Sequence, residues 1–183
     1  MSTTREQSNL KQETQKATPE QLATVTDLNK EQVQTITNTV NPLIADSFAL
    51  YVKTKNFHWH LSGSHFRDYH LLLDKHADDV FESIDPMAER VRRVGGTTIR
   101  SISQISQLQT IRDDNNDFVP PGTMLRELMN DNAQIAKNYR AAIAVIDKNN
   151  DPATSNILED LLDKTEKRKW FLFEILQGEE NTR

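Results

Sequence analysis

Five residues of this chain combine imidazole and carboxylate groups at helical spacing: His58, His70, Asp74, Asp85 and Glu89. His70 and Asp74 lie four apart, as do Asp85 and Glu89. Side chains at that spacing sit one helical turn above each other, so each pair can face a single cation. Imidazole with carboxylate suits iron, zinc or manganese rather than calcium. Asp74 and Asp85 are eleven residues apart, close to three full turns, so a single helix carrying all four groups presents them on one face. His70 to Glu89 spans roughly 28 Å along a helix rising about 1.5 Å per residue, too far for one ion in one chain. An antiparallel second copy brings His70 and Asp74 of one protomer opposite Asp85 and Glu89 of its partner, giving two equivalent sites as isologous symmetry requires. His58 can complete either half. On spacing alone a second reading stays open, in which these are solvated charges decorating a helix surface.

The elements that position these groups follow from the apolar pattern. Val33, Ile36, Val40, Leu43, Ile44, Phe48 and Tyr51 keep three-four spacing and predict a helix from about Lys30 to Leu61. Seven residues beyond Tyr51 the same stripe reaches His58, which places that imidazole inward. Pro42 inside the pattern predicts a kink. Ser62-Gly63-Ser64 closes the helix, and a second runs from about His65 to Val94, ended by Gly95-Gly96 and kinked near Pro86. Between Thr98 and Ile111, the residues Ile99, Ile102, Ile105 and Leu108 predict a short helix, followed by the polar loop 112–117. Pro120-Pro121 starts a third long helix bearing Met124, Leu128, Ile135, Ala142 and Ile146 on one face. The run Lys148 to Pro152 breaks it, and a fourth helix extends from about Ala153 to Leu176 and stops at Gly178. Two helices, a long crossover with a short extra helix, and two more helices make an all-α four-helix bundle. Residues 1–25 are expected to form a flexible N-terminal tail, 26–178 the bundle domain, and 179–183 a short C-terminal tail.

Composition agrees and narrows the function. The chain has 183 residues with 27% charged groups, five glycines and six prolines, the balance of one soluble helical domain. Mean hydropathy is -0.67, and no apolar run reaches membrane-spanning length. The polar N-terminus has no secretory pattern, so a cytoplasmic location is expected. There is no cysteine, which excludes disulfides and thiolate ligands. A net charge of -5 and a pI near 5.5 argue against a protein whose main task is coating nucleic acid.

The segments Lys55-Asn56-Phe57-His58-Trp59-His60-Leu61-Ser62-Gly63, His65-Phe66-Arg67-Asp68-Tyr69-His70 and Asp85-Pro86-Met87-Ala88-Glu89-Arg90-Val91 together resemble the signature of the Dps mini-ferritins. The likeness extends from about residue 30 to 176, including Trp170-Phe171-Leu172-Phe173. The resemblance implies a ferritin-like bundle assembled into a hollow dodecameric shell, a homo-oligomer whose two-fold dimer interfaces form the metal sites. It implies that His58, His70, Asp74, Asp85 and Glu89 are the ferroxidase and metal-binding residues, and none of the five is replaced. Ferrous iron is then the substrate and ferric mineral the product, with hydrogen peroxide generally preferred to oxygen and zinc a competing ion. The Glu-x-x-His pairs of ordinary ferritins are missing from the sequence, in keeping with an intersubunit site.

Other residues carry weaker expectations. Trp59 is expected to pack at a helix interface, with a role as radical acceptor the alternative. His60 and His65 are expected to be solvated or hydrogen-bonded, and His76, two residues from Asp74, to lie on the surface. Asp78, Asp79 and Glu82 read as a wet face. Asp147, Asp151, Glu159, Asp160, Asp163 and Glu166 outnumber Lys148 and Lys164 across 147–166, and the resemblance makes Asp151 and its neighbours candidates for lining iron-entry pores. Two further function classes compete with the ferroxidase. A nucleoid-compacting DNA binder is disfavoured because residues 1–30 balance Arg5, Lys11, Lys16 and Lys30 against Glu6, Glu13, Glu20 and Asp27, so DNA binding is expected to be weak or absent. A zinc-holding structural shell could use the same ligands.

Overall fold

Helix α1 begins where a polar residue supplies the carboxamide that a helix start needs. In a computed structural model, which describes residues 19–180, Asn29 accepts from the Gln32 backbone N–H at 3.0 Å while Gln32 accepts from Asn29 N–H at 2.9 Å. From there α1 runs over Lys30–His60. It crosses Pro42 without a break, where a kink is expected from the sequence. Asn41 on this turn donates to Thr97 O at 3.0 Å and ties the helix to the crossover. Ile36, Val40, Leu43, Ile44, Leu50 and Phe57 on one face are almost wholly buried.

The second arm differs from its sequence expectation. Instead of one helix over 65–94 there are two, α2 (Phe66–Phe81) and α3 (Ile84–Arg93). The cause is Pro86, which has no N–H to donate and whose ring crowds the carbonyl four residues earlier, that of Glu82. The chain turns at Glu82-Ser83, and the Ser83 hydroxyl donates to Val80 O at 2.6 Å. Pro86 itself sits in the first turn of α3, where a missing N–H is tolerated. At the far end Gly95 adopts φ 93°. A Cβ on Gly96 would lie 2.1 Å from Thr37 Oγ1, so only glycine lets this corner close on α1.

The crossover holds a short helix α4 (Ile102–Leu108), started by Ser101, whose hydroxyl accepts from Gln104 N–H. Of the isoleucines that predicted it, Ile105 is buried and Ile102 points to solvent. The crossover ends on a buried carboxylate. Asp46 of α1, fully shielded from solvent, accepts from Thr110 N and Oγ1, Ile111 N and Asn138 Nδ2. Helix α5 (Pro121–Asp147) and helix α6 (Pro152–Glu180) form the second hairpin, joined by a turn in which Asn150 takes φ 56°. α6 continues through Gly178, where the sequence suggested a stop. Helix α1 packs on α2, α3, α4 and α5, and α5 lies along α6. This is the expected all-α bundle with a short crossover helix.

The tail expected over 1–25 has residues 1–18 outside the described region, and 181–183 of the C-terminal tail lie outside it too. Residues 19–25 run along the end of α3, where Arg92 donates to Leu22 O at 2.7 Å and the Thr24 hydroxyl donates to Arg92 O at 2.8 Å.

Candidate metal centre

His58 ends up where its stripe predicted, inward on the last turns of α1 and 7% exposed. His70 reaches it from the first turns of α2. The two rings stack with centroids 3.7 Å apart and planes 21° from parallel. Each Nδ1 donates to the other residue's backbone carbonyl, His58 to His70 O at 2.9 Å and His70 to His58 O at 3.0 Å. A carbonyl accepts only, so the reciprocal pair puts a proton on each Nδ1, and in the neutral imidazole the lone pair is then on Nε2. Orienting a ligand imidazole through its other nitrogen is the usual way of preparing it for a metal. The short 61–65 loop makes the arrangement possible by folding α2 back onto the end of α1.

Asp74, one turn beyond His70, stands with its Oδ1 3.7 Å from His58 Nε2. Its partner is Lys55 of α1, whose ammonium donates to the same oxygen at 2.6 Å. That hydrogen bond, with the positive field of Lys55, holds the Asp74 carboxyl below the usual range, and Asp74 in turn raises the Lys55 ammonium. Asp74 is therefore ionised and carries a cation already. Lys55 is the residue that helical spacing from His70 did not single out; it stands three residues before His58, within reach of the same turn.

Asp85 and Glu89 lie on α3, both exposed. Glu89 is engaged by Arg93 one turn on. Because the helix breaks at Glu82-Ser83, the shared-face argument for one continuous helix holds within each pair and not across all four residues. Among the described residues no three His, Asp or Glu groups converge on one point within the chain. The five residues thus fall into two separate groups on the chain: His58, His70 and Asp74 around the α1–α2 turn, and Asp85 with Glu89 on α3.

His60 is exposed and bonds Asn56 O through Nδ1 at 2.8 Å, and His65 stands exposed beside Tyr69. Trp59 projects outward, 64% exposed within the single chain. His76 is a correction: it is 7% exposed rather than on the surface, because side chains of α6 reach over it, Phe171 standing edge-on to its ring. Burial, reinforced by Arg168, lowers it to about 4. Asp78 and Glu82 are exposed as expected, and Asp79 pairs with Lys75 at 2.5 Å. Asp151 is a second correction to the acids proposed for pores. It is 3% exposed, paired with Arg90 at 2.5 Å and accepting from Thr154 N–H at 3.1 Å to cap α6. Asp160 pairs with Lys164, Glu166 with Arg140, and Asp147 accepts from Ser155. Glu159 and Asp163 remain exposed.

A two-hairpin bundle with a long crossover and paired imidazole and carboxylate groups along its second arm is a ferritin-like architecture. A family model described as the ferritin-like domain matches residues 37–181. The DNA protection during starvation protein of Agrobacterium fabrum is 30% identical over 149 residues, 81% of this chain and 92% of that one. An uncharacterized low temperature-induced protein of Nostoc sp. is 36% identical over 153 residues, 83% of this chain and 86% of the relative. Among solved structures, DpsC from Streptomyces coelicolor superposes with a TM-score of 0.81 at 28% identity, covering 84% of this chain and 90% of that one. The chain belongs to the ferritin-like family, in its branch of Dps-type mini-ferritins. No helix among the described residues is long and apolar enough to cross a membrane.

Proposed function

We propose that this protein is a ferroxidase and iron store whose oxidation sites are shared between two protomers. The observation that carries this reading is the reciprocal His58–His70 pair, whose Nδ1 atoms are both committed to backbone carbonyls, so that Nε2 is the nitrogen each neutral ring can offer a cation near the ionised Asp74. One chain supplies two imidazoles and one carboxylate; a cation with that many donors lacks ligands, and the exposed Asp85 and Glu89, the acids that the Dps resemblance assigns to the site, complete the set from the partner. A two-fold dimer with α2 and α3 of one protomer antiparallel to those of its partner brings the halves together twice. The exposed apolar residues around this region, Val52, Trp59, Phe66, Leu71 and Phe81, fit burial against a second copy.

In this reading ferrous iron is the substrate. It displaces the Lys55 ammonium from Asp74, since both compete for one oxygen. His58 and His70 donate through Nε2, their orientation held by the backbone carbonyls, and the carboxylates favour the ferric state. Two ferrous ions deliver two electrons to one hydrogen peroxide, which with two protons becomes two waters; no hydroxyl radical is released when both electrons arrive at one site. Oxygen is the alternative oxidant. The ferric product accumulates inside a hollow dodecameric shell in the cytoplasm, and, among the described residues, Glu159 and Asp163 are exposed acids of the last helix able to attract incoming cations. Net charge opposes tight DNA binding; a gel-shift at low salt is expected to show weak or absent binding, and a tight complex would overturn that part. The zinc-holding alternative has no observation in its favour beyond the shared ligand types.

The test is ferrous oxidation followed by absorbance at pH 7, with peroxide and with oxygen, for wild type and a His70→Ala/Asp74→Ala variant whose assembly is checked on the same sample. Fast oxidation lost in an intact assembly supports the proposal. Equal slow oxidation in both proteins rejects it.

A further inference from the structure

A cavity of about 740 Å³ opens between the α2–α3 arm and α6, and none of the five metal-site residues lines it. Its walls contain two deep polar side chains that the proposed chemistry does not use. Arg168 is 6% exposed. Its Nε donates to Asn132 Oδ1 at 3.0 Å and its Nη2 to Thr165 Oγ1 at 2.7 Å, both neutral acceptors. Buried guanidinium groups ordinarily carry an anionic partner, because an uncompensated charge out of water is costly. Among the described residues no carboxylate forms an ion pair with Arg168. His76 is 7% exposed and, among the described residues, hydrogen-bonds through neither ring nitrogen; the ring edge of Phe171 is its contact.

The remaining charges of the cavity do not supply the missing anion. Lys75 is paired with Asp79 and Lys164 with Asp160. Lys167 lies exposed at the rim without an ion pair among the described residues, and Glu82 is the other unpaired charge. The charges that act on His76 are those of Arg168, Asp79 and Lys75, and the carboxylate nearest in effect to Arg168, Asp79, is already held by Lys75. The lining thus sets Lys75, Lys164, Lys167 and Arg168 against Asp79, Glu82 and Asp160, a surplus of one cation with the buried Arg168 unpaired among the described residues.

We propose that this cavity binds the phosphate group of a small anion, with Arg168 supplying the counter-charge, His76 an imidazole N–H and Lys167 closing the mouth. The guanidinium fork matches a tetrahedral oxyanion, and its partial shielding from water strengthens the contact. Leu72, Leu161 and Phe171 line the rest of the cavity, whose volume is of the size that holds a small organic molecule. The phosphate can therefore be free or carried on a phosphorylated metabolite.

The experiment uses the full assembled protein without metal, so it does not depend on iron oxidation. Inorganic phosphate and ribose 5-phosphate are titrated separately at constant ionic strength by calorimetry, with the His76 imidazole followed by nitrogen-proton correlation spectra. The expected result is saturable binding at one site per chain and displacement of the His76 signals. Removing the rim charge in Lys167→Ala weakens binding by about fivefold, as for an exposed ion pair. Arg168→Gln weakens it by about thirtyfold or more, as for a buried one. Lys167→Ala keeps the test decisive if Arg168→Gln does not assemble. Tighter binding of the sugar phosphate identifies a carried phosphate; equal or weaker binding identifies the free ion. Absence of saturation at millimolar concentrations, or binding that leaves His76 unmoved and is unaffected by Lys167→Ala, overturns the proposal.

Discussion

Two inactive variants should restore each other when they share an assembly. Take His70→Ala/Asp74→Ala, which destroys the imidazole half-site, and Asp85→Ala/Glu89→Ala, which destroys the carboxylate half-site. All four side chains are on exposed or half-buried faces of α2 and α3, so neither variant disturbs the core made by Leu73, Ala77, Val80, Met87 and Val91. In a two-fold dimer of either variant alone, both sites lack one half. In a mixed dimer, one site combines both damaged halves, while the other combines the intact imidazole half of one chain with the intact carboxylate half of its partner. Random pairing makes half the dimers mixed, and half their sites complete, so co-refolded variants regain about one quarter of the wild-type oxidation sites. The assay is the initial rate of ferrous oxidation, with native mass spectrometry to establish the fraction of mixed assemblies. Mixed assemblies that stay inactive would refute an intersubunit site, whatever the activity of the wild type.

Lys55→Met removes the cation that competes for Asp74; the Asp74 carboxyl, measured by carbon NMR titration, should rise toward the ordinary range, and ferrous binding at neutral pH should tighten several-fold. With Lys55 present, the depressed Asp74 contributes stability above the unfolded carboxyl pKa that is lost as acid protonates it. His76 acts at milder acidity. Its folded value near 4 lies below the ordinary 6.5, so the unfolded chain takes up the proton first. Stability is then complete above 6.5 and falls toward pH 4 by up to about 3 kcal/mol. Urea unfolding of wild type and His76→Phe should show this loss only in the wild type. Asp46→Ala leaves the Thr110 and Ile111 amides and the Asn138 amide without their buried acceptor, and should cost about 3 kcal/mol or more in chemical denaturation. Loss of less than about 1 kcal/mol would mean the crossover is not anchored there.

The sequence by itself determined where most of the helices lie, though it did not separate α2 from α3 and placed the stop of α6 too early. The Asn29–Gln32 box, the prolines at 120–121 and the three-four stripes are local features, and local backbone energetics settles them. It also singled out the five residues proposed for the site, through i, i+4 spacing together with the family resemblance of the run around His58. Tertiary structure decided what no local signal could. His76 is buried because α6 covers it, and Asp151 is spent on Arg90, sixty-one residues away in sequence. The break at Glu82-Ser83 was within reach of the sequence, yet the same proline rule at Pro42 meets an uninterrupted helix, in an α1 packed against four neighbours. Lys55 on Asp74 and the crossed His58–His70 hydrogen bonds exist only once the 61–65 loop returns α2 to the end of α1. Spacing along a helix says which side chains share a face; only packing says which partner from another helix meets them, and that partner sets their charge, tautomer and availability.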